Sequence, residues 1–147
     1  MTNDVIKDLA ALYKVQVFIH GDDGNTFEHF LPQVSIHNNC FCRRKAAMEN
    51  PGECMGQIFV GPYANQERRM LSFLHELSHL LFDGNNPLFV TTIEFIELRA
   101  WLNALKLARK HRIYFRGNVY EWIDFYVATY NHEYYKVPKP TNELVLI

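Results

Sequence analysis

The chain has 147 residues, a length that suits one domain. Its 48% hydrophobic and 14% aromatic content is enough to bury a core without disulfide staples. A formal net charge of -1 argues against a dedicated nucleic-acid binder, a class that is usually strongly basic.

Three cysteines, Cys40, Cys42 and Cys54, make an odd count, and the polar, acidic start has no hydrophobic leader region. Both features argue against a secreted disulfide framework. No apolar run is long enough to span a membrane. The expected compartment is a reducing cytoplasm.

In chain order, residues 3–13 read as a short amphipathic helix with Val5, Leu9 and Leu12 on one side. Residues 15–19 read as a strand, and the turn signal of residues 21–25 predicts a following hairpin. Residues 30–36 form a second candidate strand, weakened by Pro32. The cysteine-bearing stretch 37–56 has no regular pattern. Residues 57–60 form a third short strand, placed just before the first long helix and read as a sheet edge along which an extended peptide pairs.

Helices follow over residues 65–82, 91–111 and 119–130, the first closed by the run Asp83-Gly84-Asn85-Asn86-Pro87. Strands first and helices after predict an α+β fold, with a small, mainly antiparallel sheet and helices packed on one face.

The first long helix carries His75-Glu76-Leu77-Ser78-His79. Residues four apart on a helix share a face, so both imidazoles can reach one metal ion. Glu76 lies beside that ion rather than on it, where it can take a proton from a water the metal activates. This is the zinc-peptidase pattern His-Glu-x-x-His. Arg68, Ser72, His75, Glu76, His79 and Asp83 form one polar stripe, while Met70, Phe73, Leu74, Leu77, Leu80 and Leu81 fill the opposite side. The plainer alternative is a chance pattern on a surface helix. A helix this apolar is mostly buried, however, and buried polar side chains are costly without partners.

A catalytic zinc site takes three protein ligands and leaves a fourth position open. The second long helix offers Glu97, set among Ile93, Ala100, Trp101, Ala104, Leu105 and Ala108. A carboxylate on an apolar face needs a strong partner, and a metal provides one. Glu94, one turn earlier, has two readings. It accepts a hydrogen bond from a ligating imidazole, or it is a solvated first-turn residue favoured by the helix dipole.

With these residues in view, residues 55–108 resemble the ImmA/IrrE family of metallopeptidases. The resemblance runs through the short strand, the helix with His75-Glu76-Leu77-Ser78-His79-Leu80-Leu81, and the helix with Glu97, Ala100, Trp101 and Ala104. It implies a zincin-like core of the gluzincin kind, with one Zn2+ held by His75, His79 and Glu97 and with Glu76 as general base. It also implies a protein or peptide substrate, such as a transcriptional repressor. Two departures stand out. The gap from His79 to Glu97 is shorter than is usual in that family, and only the peptidase core is matched.

The remaining candidates have plainer explanations. The spacing of Cys40, Cys42 and Cys54 fits no common zinc module, so ordinary reduced cysteines are expected there. Lys106, Arg109, Lys110, His111, Arg112 and Arg116 suit a helix C-terminus and a solvated face. His132, Tyr134 and Tyr135 are candidate oxyanion donors, with aromatic packing as the alternative. The rival to an enzyme is a degenerate zincin fold that only binds a partner protein. An intact Glu76 argues against it, because a structural zinc needs no base.

Overall fold

The computed structural model describes residues 2–22, 40–42, 56–61, 65–82 and 93–128, with the backbone alone at 40–42, 93 and 94. Among these residues, three strands form one sheet: β1 (Val15–Ile19), β2 (Cys40–Cys42) and β3 (Gly56–Val60). Among them too are four helices: α1 (Thr2–Leu12), α2 (Gln66–Phe82), α3 (Ile93–Lys110) and α4 (Val119–Ala128). The fold is α+β.

Alternation along the strands sorts the side chains onto two faces. Val15, Val17, Ile19, Ile58 and Val60 join the main core, and the register pairs Val17 with Ile58 and Ile19 with Val60. On the other face Gln16 bonds Gln57, and the rings of Phe18 and Phe59 stack 5.0 Å apart.

The sheet is mixed, and the expectation of a mainly antiparallel one is corrected here. The strand order is β1-β3-β2, with β1 parallel to β3 along five residue pairs and β2 antiparallel to β3 along three. The cause is the long connection between Ile19 and Gly56. Parallel pairing requires a crossover of a dozen or more residues, and this connection has that length. Among the described residues β1 pairs with β3 alone, and the rest of the expected hairpin falls outside them. The reading of β3 as a sheet edge is also overturned. With β1 on one side and β2 on the other, both of its backbone edges are taken.

Helix α1 turns Ile6, Leu9 and Ala10 inward, while Val5 and Leu12 are exposed. The expected face was therefore off by part of a turn. The inward set keeps the i, i+3, i+4 spacing, and Ile6 is its anchor. Helix α2 is the hub of the molecule, touching the sheet, α1 and α3. Every residue from Met70 to Leu80 is buried. Asn65 caps its start, Oδ1 accepting from the backbone N–H of Arg68 at 3.0 Å. Asn118 caps α4 in the same way, accepting from Glu121 N–H at 3.2 Å.

Helix α3 packs against α2, and its Ala100, Ala104 and Ala108 are nearly inaccessible. The chain leaves α3 through Arg112 at φ 56°, and the N–H of Ile113 bonds back to Ala108 C=O at 2.9 Å. The Glu67 carboxylate accepts from the backbone N–H groups of Arg116 and Gly117, tying the α3–α4 connection to the start of α2. Among the described residues, no helix is long and apolar enough to cross a membrane.

Candidate metal centre

His75 and His79 project from one face of α2, as their spacing requires, and their Nε2 atoms lie 3.1 Å apart. Glu97 comes from α3 to meet them. Its Oε2 lies 2.8 Å from His75 Nε2 and its Oε1 lies 3.2 Å from His79 Nε2. Glu76 stands beside this group with Oε1 4.0 Å from His75 Nε2. The site is buried: His75, Glu76 and His79 are 5%, 6% and 3% exposed.

The separations can be checked against a metal. Four ligands at about 2.0–2.1 Å around a tetrahedral Zn2+ stand roughly 3.3 Å from one another. The contacts among the two imidazoles and the carboxylate are 3.1, 2.8 and 3.2 Å, close to that edge length. Alignment points the same way. Glu97 Oε2 has no aligned hydrogen-bond donor among the described residues, despite its 2.8 Å contact with His75 Nε2. That buried oxygen sits beside the two imidazole nitrogens with its hydrogen-bonding capacity unused, as a metal ligand would. The buried group His75, Glu76 and His79 can hold a metal ion, with ligand atoms within 4.8 Å of one another. Two imidazoles and one carboxylate are the donor set of a catalytic zinc site with its fourth position open.

Electrostatics favour the charged form of the Glu97 carboxylate. Burial on its own pushes the Glu97 carboxyl up. The His75 and His79 imidazoles against its oxygens outweigh burial and hold it at about 2. Glu97 is therefore ionised at neutral pH, the form a metal requires. Inside α2, Ser78 Oγ donates to Leu74 C=O at 2.7 Å, so this buried hydroxyl is satisfied within its own helix.

The structure brings together His75, Glu76, His79 and Glu97. Glu94 lies in α3 one turn before Glu97, and its side chain is outside the described set, as are those of Cys40 and Cys42. By register Cys40 is opposite Phe59 and Cys42 opposite Gln57. Cys54, His132, Tyr134, Tyr135 and the candidate strand at 30–36 fall outside the described residues. In the basic cluster Lys106, Arg109, Lys110, Arg112 and Arg116 are solvent-exposed. His111 instead meets Tyr13, with Nε2 2.6 Å from the phenol oxygen.

One neighbour of the site escapes a reading by residue type. The indole of Trp101 stacks on the His75 imidazole, with ring centroids 3.8 Å apart and planes 27° apart. The sequence signal for it is its position four residues after Glu97, which puts both on one face of α3. No family model, curated protein or solved structure matches the chain.

Proposed function

We propose that this chain is a zinc metallopeptidase with a zincin-like core, similar to the ImmA/IrrE family, acting on a protein substrate in the cytoplasm. A repressor-like regulator is the substrate class that this resemblance implies. The observation that carries the reading is the convergence of His75, His79 and Glu97 at ligand spacing, with a fourth ionisable group, Glu76, beside them.

His75, His79 and Glu97 would hold the ion. When bound, Zn2+ supplies Lewis acidity, polarising a peptide carbonyl and acidifying water. The remaining work belongs to the protein. Glu76 accepts a proton from the attacking water and later delivers it to the leaving amine. Its Oε1 is 4.0 Å from His75 Nε2, farther than the Glu97 oxygens lie from their imidazoles, and that place beside the ligands suits a base. The buried surroundings strengthen each of these charge interactions by excluding bulk water.

Replacing Glu76 with Gln tests the reading. The amide keeps the shape and cannot take the proton. The variant is expected to keep about one zinc per chain, the stoichiometry of one catalytic site. It is expected to lose cleavage by about 10²–10⁴-fold, the usual contribution of a general base. Mass spectrometry of proteins that co-purify with this variant and are cleaved by the wild type names the substrate. Near-wild-type cleavage by the variant, or a wild type without metal after chelator-free purification, would sink the proposal.

A further inference from the structure

We infer that Trp101 is a positioning residue for the metal centre, its indole face holding the His75 imidazole in the orientation that ligation requires. This rests on reading His75 as a metal ligand.

An imidazole attached through two rotatable bonds sweeps its Nε2 through a wide arc unless its plane is fixed. Two groups fix it here. The Trp101 ring covers one face of His75 at 3.8 Å, and His79 meets it in an edge-on arrangement with centroids 4.6 Å apart and planes 87° apart. Rotation of the His75 ring about its Cβ–Cγ bond would drive it into the indole.

Trp101 is itself held by its faces. Its Nε1 has no hydrogen-bond partner among the described residues, although the residue is 5% exposed. A buried indole N–H usually finds an acceptor, so edge bonding does not account for the ring's orientation. Its ring also meets Tyr126 of α4, stacked at 5.1 Å with planes 10° apart. The Arg68 guanidinium lies 5.6 Å from the Tyr126 ring and 5.5 Å from that of Trp122, within cation–π range. Arg68 and His75 both belong to α2, two turns apart. The column therefore leaves α2 at Arg68, passes through α4 and α3, and returns to α2 at His75.

The stack also responds to the ion. Coordination draws electron density from an imidazole and makes its ring more positive, and the face of an indole attracts positive charge. The Trp101–His75 contact is thus stronger in the loaded state than in the empty one, which raises metal affinity as well as setting geometry. Helix α3 supplies both parts from one face, the third ligand at Glu97 and the clamp one turn later.

The test measures Zn2+ affinity of the full-length chain by competition with a chromophoric chelator, in wild type, Trp101→Leu and Trp101→Phe. The visible absorption of the Co2+-loaded forms reports ligand geometry, and circular dichroism reports the fold. Trp101→Leu is expected to weaken binding by about tenfold to a hundredfold, the range for outer partners of metal ligands. Its Co2+ spectrum is expected to lose intensity. Trp101→Phe keeps an aromatic face without the N–H and is expected to restore both. Should the Leu variant fail to fold, Tyr126→Leu removes the backing of the stack and is expected to weaken binding in the same sense. Unchanged affinity and spectrum in the Leu variant, or in Tyr126→Leu where that stands in for it, overturn the inference. So does an equal loss in Leu and Phe, which would assign the role to the indole N–H. A wild type that takes up neither Zn2+ nor Co2+ fails differently, because it removes the metal centre and the clamp with it.

Discussion

At the α1 end of the molecule, Lys7 Nζ and Asp22 Oδ2 lie 2.6 Å apart, with half of the lysine side chain in solvent. At the α2–α3 interface, His75 Nε2 and Glu97 Oε2 lie 2.8 Å apart, with 6% and 15% of their side chains exposed. The separations are nearly the same and the surroundings differ. Water screens the first pair and competes for both partners, so it contributes little. The second contact has been taken out of water, where an ionised carboxylate is costly unless close partners face it, and at Glu97 the two imidazoles do. Packed apolar side chains of similar volume often serve a buried helix contact as well as or better than two histidines and two glutamates do. The α1 pair fits an ordinary surface, and the α2–α3 group fits a site kept for what it binds.

The sharpest way to break this contrast is Glu97→Ala. The variant is expected to lose its zinc, measured as metal per chain after chelator-free purification. Because the change also deletes a buried charge, the metal-free variant is expected to resist urea no worse than the metal-free parent. Retained zinc, or a large loss of stability in the metal-free form, would mean that Glu97 serves the fold rather than the ion. Glu94→Ala has a smaller expected effect, about 10–100-fold in metal affinity if its carboxylate orients a ligand. Loss of metal from the Glu94 variant with retention in the Glu97 variant would exchange their roles.

Lys7→Ala has the smallest expected effect, under about 1 kcal/mol as for exposed pairs generally. The Lys7 hydrogen bond, opposed by partial burial, holds the Asp22 carboxyl below its ordinary 3.8. A depressed carboxyl stabilises the fold above its unfolded value, and that contribution fades as pH falls below about 3.8. The variant should therefore move the Asp22 titration upward in an NMR pH series and leave stability at neutral pH almost unchanged. A loss of several kcal/mol would erase the distinction between the two regions.

The parts of this molecule that are legible in the sequence are those decided within a few turns of chain. His75 and His79 share a face because a helix places residues four apart together, and the apolar surroundings of Glu97 are written along α3 itself. The caps at Asn65 and Asn118 are equally local. The sheet is not legible in this way. Whether β1 pairs in parallel or antiparallel fashion depends on where a long connection returns, and periodicity carries no record of that. Choosing Val5 and Leu12 over Ile6 and Ala10 as the buried face of α1 is a smaller failure of the same kind. Both sets are apolar and helically spaced, and only the position of the sheet and α2 decides between them. Trp101 is visible as an apolar residue, but its contact with His75 depends on the crossing of two helices.

The stacked column has a consequence for the order in which the molecule assembles. Its members come from positions 68, 75, 101 and 126, so the last of them reaches the site only when α4 has docked. A metal that needs the finished column stabilises the native state and not the transition state before it. Bound zinc is then expected to slow unfolding while leaving the refolding rate nearly unchanged, a pattern that the two limbs of a denaturant chevron separate directly. The ion would then act as a lock on a completed structure, and the lifetime of the folded chain would follow the supply of metal.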